Sequence, residues 1–269
     1  LYTRDNVYWL TWTGFAGKRM RRGFGPDTSG TTVVNTGRVV LHQELDRECP
    51  ARAGLMWVWS TIFKAADAGV AQFSCPLELK YPIKVHQISG RLYNASPSNE
   101  ITIRFNGRVL TNFQFGSSSY PSPYDFSIDS VGPIAFRDNQ LTIELRGNGE
   151  KKVYLDYLVV KYSCRLSLFT GPCNFFVDTV GDYQFLIQDA DAVPVVLDVT
   201  DPYAPALCFG VEKKGDSVLF SRRLHGWTEF VIATPEQLLK PKDMQVKSPG
   251  SLWDETFLAD YWIVTPPEL

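Results

Sequence analysis

Cysteine and histidine are the first residues to weigh for chemistry. The chain holds five cysteines, Cys49, Cys75, Cys164, Cys173 and Cys208, and three histidines, His42, His86 and His225. No two cysteines form a CxxC pair, and no histidine lies in a Cys/His cluster. A structural zinc site needs clustered ligands, so no metal and no cofactor is expected. A cysteine nucleophile needs a thiolate beside a base. His42 and Cys49 are the only near pair in sequence, and neither lies in a known catalytic signature. The chain has no G-x-S-x-G elbow, and Gly30 is not followed by a phosphate-loop Gly-Lys-Ser/Thr. No catalytic residue is assigned. Cys164 and Cys173 flank a turn at Gly171-Pro172. Their spacing allows a disulfide across a hairpin and equally two buried thiols. Asp189 and Asp191, like Glu44 and Asp46, are alternate carboxylates. Such pairs can supply half a calcium site or an acid/base pair, but they more often solvate a turn.

Aromatic side chains are the stronger binding candidates. There are 17 Phe, 12 Tyr and 7 Trp residues. Tyr8, Trp9 and Trp12 form one cluster, and Trp57 and Trp59 a second. Tyr120 and Tyr124 fall in a Ser/Pro-rich stretch that reads as a loop, and they are the candidate ligand-binding residues. Exposed rings there would stack on sugars or on a peptide. Most of the other rings read as core. Trp57 and Trp59 would share one sheet face if their segment is a strand. Asn94-Ala95-Ser96 matches a glycosylation sequon, although Pro97 follows it directly.

The elements that must position these groups are strands. Glu100 to Phe105 alternates polar and apolar residues and meets Asn106-Gly107, a strong hairpin signal. Leu141 to Arg146 alternates again and stops at Gly147-Asn148-Gly149. Val153 to Tyr162 reads as one long strand, partly buried on both sides. Further strands are expected at 183–188, 193–199, 217–220 and 229–233. Residues 57–66 fit a strand or a helix. Thr234-Pro235 starts one short helical turn. The fold class is all-β: a jelly-roll-like β-sandwich followed by a second, smaller β-sandwich domain. The expected divisions are residues 1–165, 166–250 and a final 251–269.

Charge and hydropathy exclude other classes. The net charge is -2 and the pI about 6.0, which gives no global attraction for nucleic acid. The basic run Lys18 to Arg22 reads as a solvated loop. No apolar stretch approaches the roughly 20 residues of a membrane span. Leu1 in place of Met marks a processed or trimmed chain.

Several segments carry a family resemblance. They are Asp5 to Trp12 with Gly17 to Met20, the block Ile101 to Tyr162, the strand-turn Val196 to Pro202, and Leu258 to Leu269. The last resembles the opening strand of the caspase-like catalytic domain of gingipain-type cysteine peptidases. The β-rich remainder is similar to the region placed before that domain in gingipain-like proteins, including the sortase-like member of the type IX secretion system. The resemblance implies a secreted or cell-surface parent with a caspase-like domain downstream as the partner. It carries over no catalytic residue, because no Cys or His here matches the catalytic positions. On this reading residues 251–269 are a linker and the first strand of the missing domain. Trp253, Phe257, Tyr261 and Trp262 would then make the interdomain contact. The alternative is a carbohydrate-binding or adhesive β-sandwich that holds a glycan or a surface protein.

Overall fold

The computed structural model describes residues 20–23, 25, 32–50, 56–116, 121–129 and 131–240. In chain order the first strands are β1 (Arg21–Gly23), β2 (Thr32–Val34), β3 (Thr36–Glu44), β4 (Ser60–Lys64), β5 (Ala71–Leu77) and β6 (Pro82–Asn94). Next come β7 (Glu100–Phe105), β8 (Arg108–Gln114), β9 (Ser122–Ile128), β10 (Asn139–Arg146) and β11 (Lys151–Arg165). The last are β12 (Cys173–Ile187), β13 (Val195–Asp198), β14 (Ala206–Cys208), β15 (Glu212–Lys214) and β16 (Ser217–Ala233). No α-helix occurs among the described residues, so the chain is all-β as its alternating pattern implies. A large sheet runs β1-β14-β13-β16-β12-β3-β11-β6-β9, with β15, β2 and β4 joined at its sides. A second sheet of four strands runs β5-β10-β7-β8. Ile101, Ile103, Leu141, Ile143 and Leu145 from the small sheet merge with Ile88, Leu92, Leu155, Leu158 and Val160 from the large one in a single apolar cluster.

The β7–β8 hairpin forms as expected. Asn106 and Gly107 both have positive φ, 49° and 79°. Twisted strands need that turn conformation, and Asn-Gly tolerates it at least cost. Residues 57–66, ambiguous in sequence, contribute the strand β4.

β11 is partly buried on its outer face, as its sequence implies, and its core face carries an irregularity. Val153 and Leu155 are buried, and so are Leu158, Val160, Tyr162 and Cys164. The alternation therefore changes phase once, between Leu155 and Leu158. The ladder to β6 shifts register at that step, so Asp156 and Tyr157 together oppose Arg91. This β-bulge returns Leu158, Val160, Tyr162 and Cys164 to the core face. The bulged strand presses close to its neighbour. A Cβ at Gly90 would lie 2.5 Å from the Tyr157 carbonyl oxygen. β6 has its own irregularity opposite the step from Lys161 to Tyr162.

In the second half, the segments read as separate strands at 217–220 and 229–233 are one strand, β16. It pairs with β12 without interruption from Val218↔Ile187 to Ile232↔Cys173. Its middle, Arg222 to Trp227, hides the strand because it carries charge and a glycine. That stretch is held by ion pairs: Arg223 donates to Asp182 at 2.7 Å and 2.8 Å, and Arg222 to Asp198 at 2.8 Å. Phe175, Phe185, Phe220 and Phe230 interlock below it, with Phe185 stacked on Phe220 at 5.0 Å. Thr234 does begin a short turn, a 3₁₀ turn at Pro235–Gln237, and its N–H donates to Gln237 Oε1 at 3.0 Å.

Three charged groups taken into the sandwich are satisfied locally. Lys64 Nζ donates to the carbonyls of Ala65 and Gly149, both at 3.0 Å, and Lys151 Nζ to Pro97 O at 2.7 Å. Glu144 on β10 accepts from Arg104 at 2.7 Å and Arg146 at 3.2 Å. The Arg104 hydrogen bond, more than Arg146, holds the Glu144 carboxyl below its ordinary 4.5.

Three substitutions follow from this packing. Gly90→Val should lower stability by about 1–3 kcal/mol in denaturant unfolding, because it meets backbone rather than a movable side chain. Gly69→Ala, where no atom lies within 4 Å, should stay within about 0.5 kcal/mol. Glu144→Gln should cost about 1–2 kcal/mol at neutral pH. The wild type carries this contribution above pH 4.5 and loses it as pH falls through the depressed folded-state pKa, so the two proteins should converge in acid. Parallel unfolding curves at every pH would contradict that.

Candidate functional site

Tyr124, expected on a loop, lies within the edge strand β9. Pro123 beside it is tolerated because an edge strand need not donate on its outer side. The Tyr124 ring stacks on Phe113 of β8 at 4.5 Å and meets the edge of Phe115 at 5.3 Å. β9 ends the large sheet and β8 ends the small one. The stack thus ties the two sheet edges together while Tyr124 stays 38% exposed. Tyr120, Trp253, Phe257, Tyr261 and Trp262 lie outside the described residues. Trp57 and Trp59 do not share a sheet face. They sit before β4, flanking the isolated bridge residue Val58. Trp59 packs edge-on against Phe73 at 5.4 Å, whereas Trp57 is 47% exposed. Asn94 is fully buried and accepts from Asn99 at 2.5 Å, so the sequon cannot be reached in the folded chain.

The titratable candidates are occupied with local work. His42 meets Glu44 at 2.9 Å and stacks on Tyr157 at 5.4 Å. Ser167 donates to Asp189 at 2.5 Å, and the Asp191 carbonyl accepts from Lys213 at 3.0 Å. Asp156, at the β11 bulge, is pushed above the ordinary carboxylate value by burial and then by Glu44, Asp46 and Asp125. Among the described residues no three His, Cys, Asp or Glu side chains are grouped to hold a metal ion. All five cysteines are free thiols, so Cys164 and Cys173 are the buried pair rather than a disulfide. Burial pushes Cys75, Cys173 and Cys208 up to about 11 and Cys164 up to about 12. A nucleophilic cysteine needs the opposite shift.

Room for a ligand was not legible in the sequence. A cavity of about 500 Å³ lies where β12 leaves β3. Val39, Val40 and Leu41 of β3 form one wall, and Cys173 to Phe176 of β12 the other, with Trp227 also in the lining. Tyr162 and Cys164 add an uncharged surface, and burial pushes the Tyr162 hydroxyl up to about 12. Arg38, Lys80 and Arg165 line the cavity against Glu78 and Glu229. Tyr81 lines it too, with φ at 44°, a region that a bulky side chain rarely adopts. Its buried hydroxyl has no hydrogen-bond partner among the described residues. Tyr81, Arg165 and Ser167 also line a second cavity of about 420 Å³. These volumes fall in the range of about 300–1,000 Å³ used by small ligands and side chains.

Comparison with known proteins supports the fold. No family model matches the sequence, and no curated protein matches it. Among solved structures, the chain is similar to the dimeric latent PorU from Porphyromonas gingivalis, with a TM-score of 0.61 and 16% sequence identity. The match covers 81% of this chain and 22% of that one, so the chain spans about a fifth of its length.

Thiol titration tests the placement of the cysteines. At pH 8 only the half-buried Cys49 should react rapidly with an aromatic disulfide reagent in the folded protein. All five cysteines should react after denaturation without reductant. A total of three thiols would instead reveal a disulfide.

Proposed function

We propose that the chain is a non-catalytic β-module of a secreted, gingipain-like cysteine peptidase, and that it packs against or orients a downstream caspase-like domain. The observation that carries this reading is the fold likeness to PorU, which extends over 81% of this chain but 22% of the solved one. That ratio suits a module that works beside other domains. The resemblance of Leu258 to Leu269 to the first strand of a caspase-like domain agrees with it. The cysteine chemistry agrees as well, since burial keeps four thiols protonated. The division into a jelly-roll-like sandwich over 1–165, a second sandwich over 166–250 and a linker with a first strand over 251–269 belongs to the same proposal. The alternative of a glycan-binding sandwich is less well supported, because Tyr124 gives one ring face to Phe113.

The test combines binding with active-site labelling. A separately produced caspase-like domain of the same polypeptide should form a one-to-one complex with this chain in sedimentation. A broad cysteine-peptidase probe should label that domain and leave this chain unlabelled. Failure to associate would contradict the packing role. Labelling of this chain that disappears on substitution of one of its cysteines would contradict the non-catalytic role.

A further inference from the structure

β3 is an inner strand by order but an edge strand by hydrogen bonding. On one side it pairs with β11 over its whole length, from Thr36↔Arg165 to Glu44↔Tyr157. On the other side, among the described residues, it meets β12 only at Arg38↔Phe176. Beyond that bridge, Val39 to Glu44 presents an open edge of six residues, roughly 20 Å long at strand rise. Proteins usually blunt such edges with proline, bulges or inward charges. β3 has no proline, its ladder to β11 is unbroken, and the middle of its edge is Val39-Val40-Leu41. Val40 is 48% exposed. The cavity of about 500 Å³ lies directly against this edge. β12 and Trp227 line the cavity on its other side.

Charge says what that strand should carry. Residues opposed across a ladder share a face. The pairs Arg38↔Ser163, Val40↔Lys161, Thr36↔Arg165 and Ser163↔Lys84 therefore place Arg38, Lys84, Lys161 and Arg165 on one exposed face. Among the described residues none of these four is in an ion pair, whereas Arg91 on the same sheet is held by Asp125 at 2.7 Å. His86 sits among them, bonded to Ser163 at 2.6 Å. The carboxylates Glu44 and Asp46 lie at the far end of the edge, with His42 on Glu44. The Arg38 end thus carries more cations than carboxylates, with Glu78 and Glu229 the acidic side chains that line the cavity beside it.

We propose that the open edge of β3 binds an extended acidic peptide as an added strand, with its carboxylates at the Arg38 end and its apolar residues against Val39, Leu41 and the cavity wall. Main-chain hydrogen bonds from alternate residues of β3 would hold it, as in other strand-addition complexes, and the basic face would select its charge. This inference does not depend on the parent being a peptidase.

The probes are blocked heptapeptides that alternate glutamate with valine, or lysine with valine, added to the full chain and followed by amide chemical shifts. The glutamate peptide should shift the amides of Val39 to Glu44 and the Trp227 indole, and bind at least about tenfold more tightly than the lysine peptide. Methylating its alternate amide nitrogens should abolish binding. Arg38→Glu, at an exposed side chain, should reverse the charge preference, and Lys161→Glu should weaken it if the first variant folds poorly. Equal affinity for both peptides would overturn the proposal. So would shifts confined to Lys84 and Lys161 with tighter binding of a heparin hexasaccharide, which would mark a polyanion site. Concentration-dependent dimers that occlude β3 in the free protein would also overturn it, by making a second copy the occupant.

Discussion

The alternation of β11 is the constraint on which the first half of the structure depends. This strand carries β3 on one side, β6 on the other and β4 beyond, so an error in its phase would propagate to all three. Side chains alternate across a strand, so one residue too many turns an apolar face toward water. The sequence has that extra residue between Leu155 and Leu158, and the bulge at Asp156 and Tyr157 absorbs it. Gly90 completes the arrangement by leaving room for the Tyr157 carbonyl. The same bulge sets Asp156 near Glu44, Asp46 and Asp125 and turns Tyr157 under His42 and Arg91. The crowded polar patch there is therefore a consequence of keeping the core in phase.

Much of the fold was legible because local signals agreed with one another. Asn106-Gly107 forms its hairpin, Thr234-Pro235 its turn, and the alternating runs their strands. The misreadings share one physical cause, which is that period-2 logic assumes an unbroken strand facing one environment. Val153 to Tyr162 is partly buried on both sides as expected, but the bulge within it carries no local signal. β16 looked like two strands because Arg222 and Arg223 hold carboxylates across the sheet. Tyr124 looked like a loop residue because serine and proline also belong on edge strands.

The candidate site was not legible at all. Its walls come from β3 and β12, which are far apart in sequence and meet at one bridge before they diverge. No composition or spacing marks where two strands part. The residues that distinguish the cavity, Tyr81 with its positive φ and Cys164 with Cys173, carry no local signature of a shared wall. Their chemistry still constrains function. Thiols kept protonated by burial give the cavity wall no activated nucleophile, and the fold around it is similar to part of a much longer protein.

The central claim is that one residue of bulge keeps β11 in register with its neighbours. Equilibrium unfolding of a variant lacking both Asp156 and Tyr157 tests it most directly. Without that pair Leu155 and Leu158 become adjacent, Val153 and Leu155 cannot face the core together with Leu158, Val160 and Tyr162, and the account predicts a loss of roughly 3–6 kcal/mol, the value of two buried apolar side chains. A variant that unfolds cooperatively at the same denaturant midpoint as the wild type would contradict it.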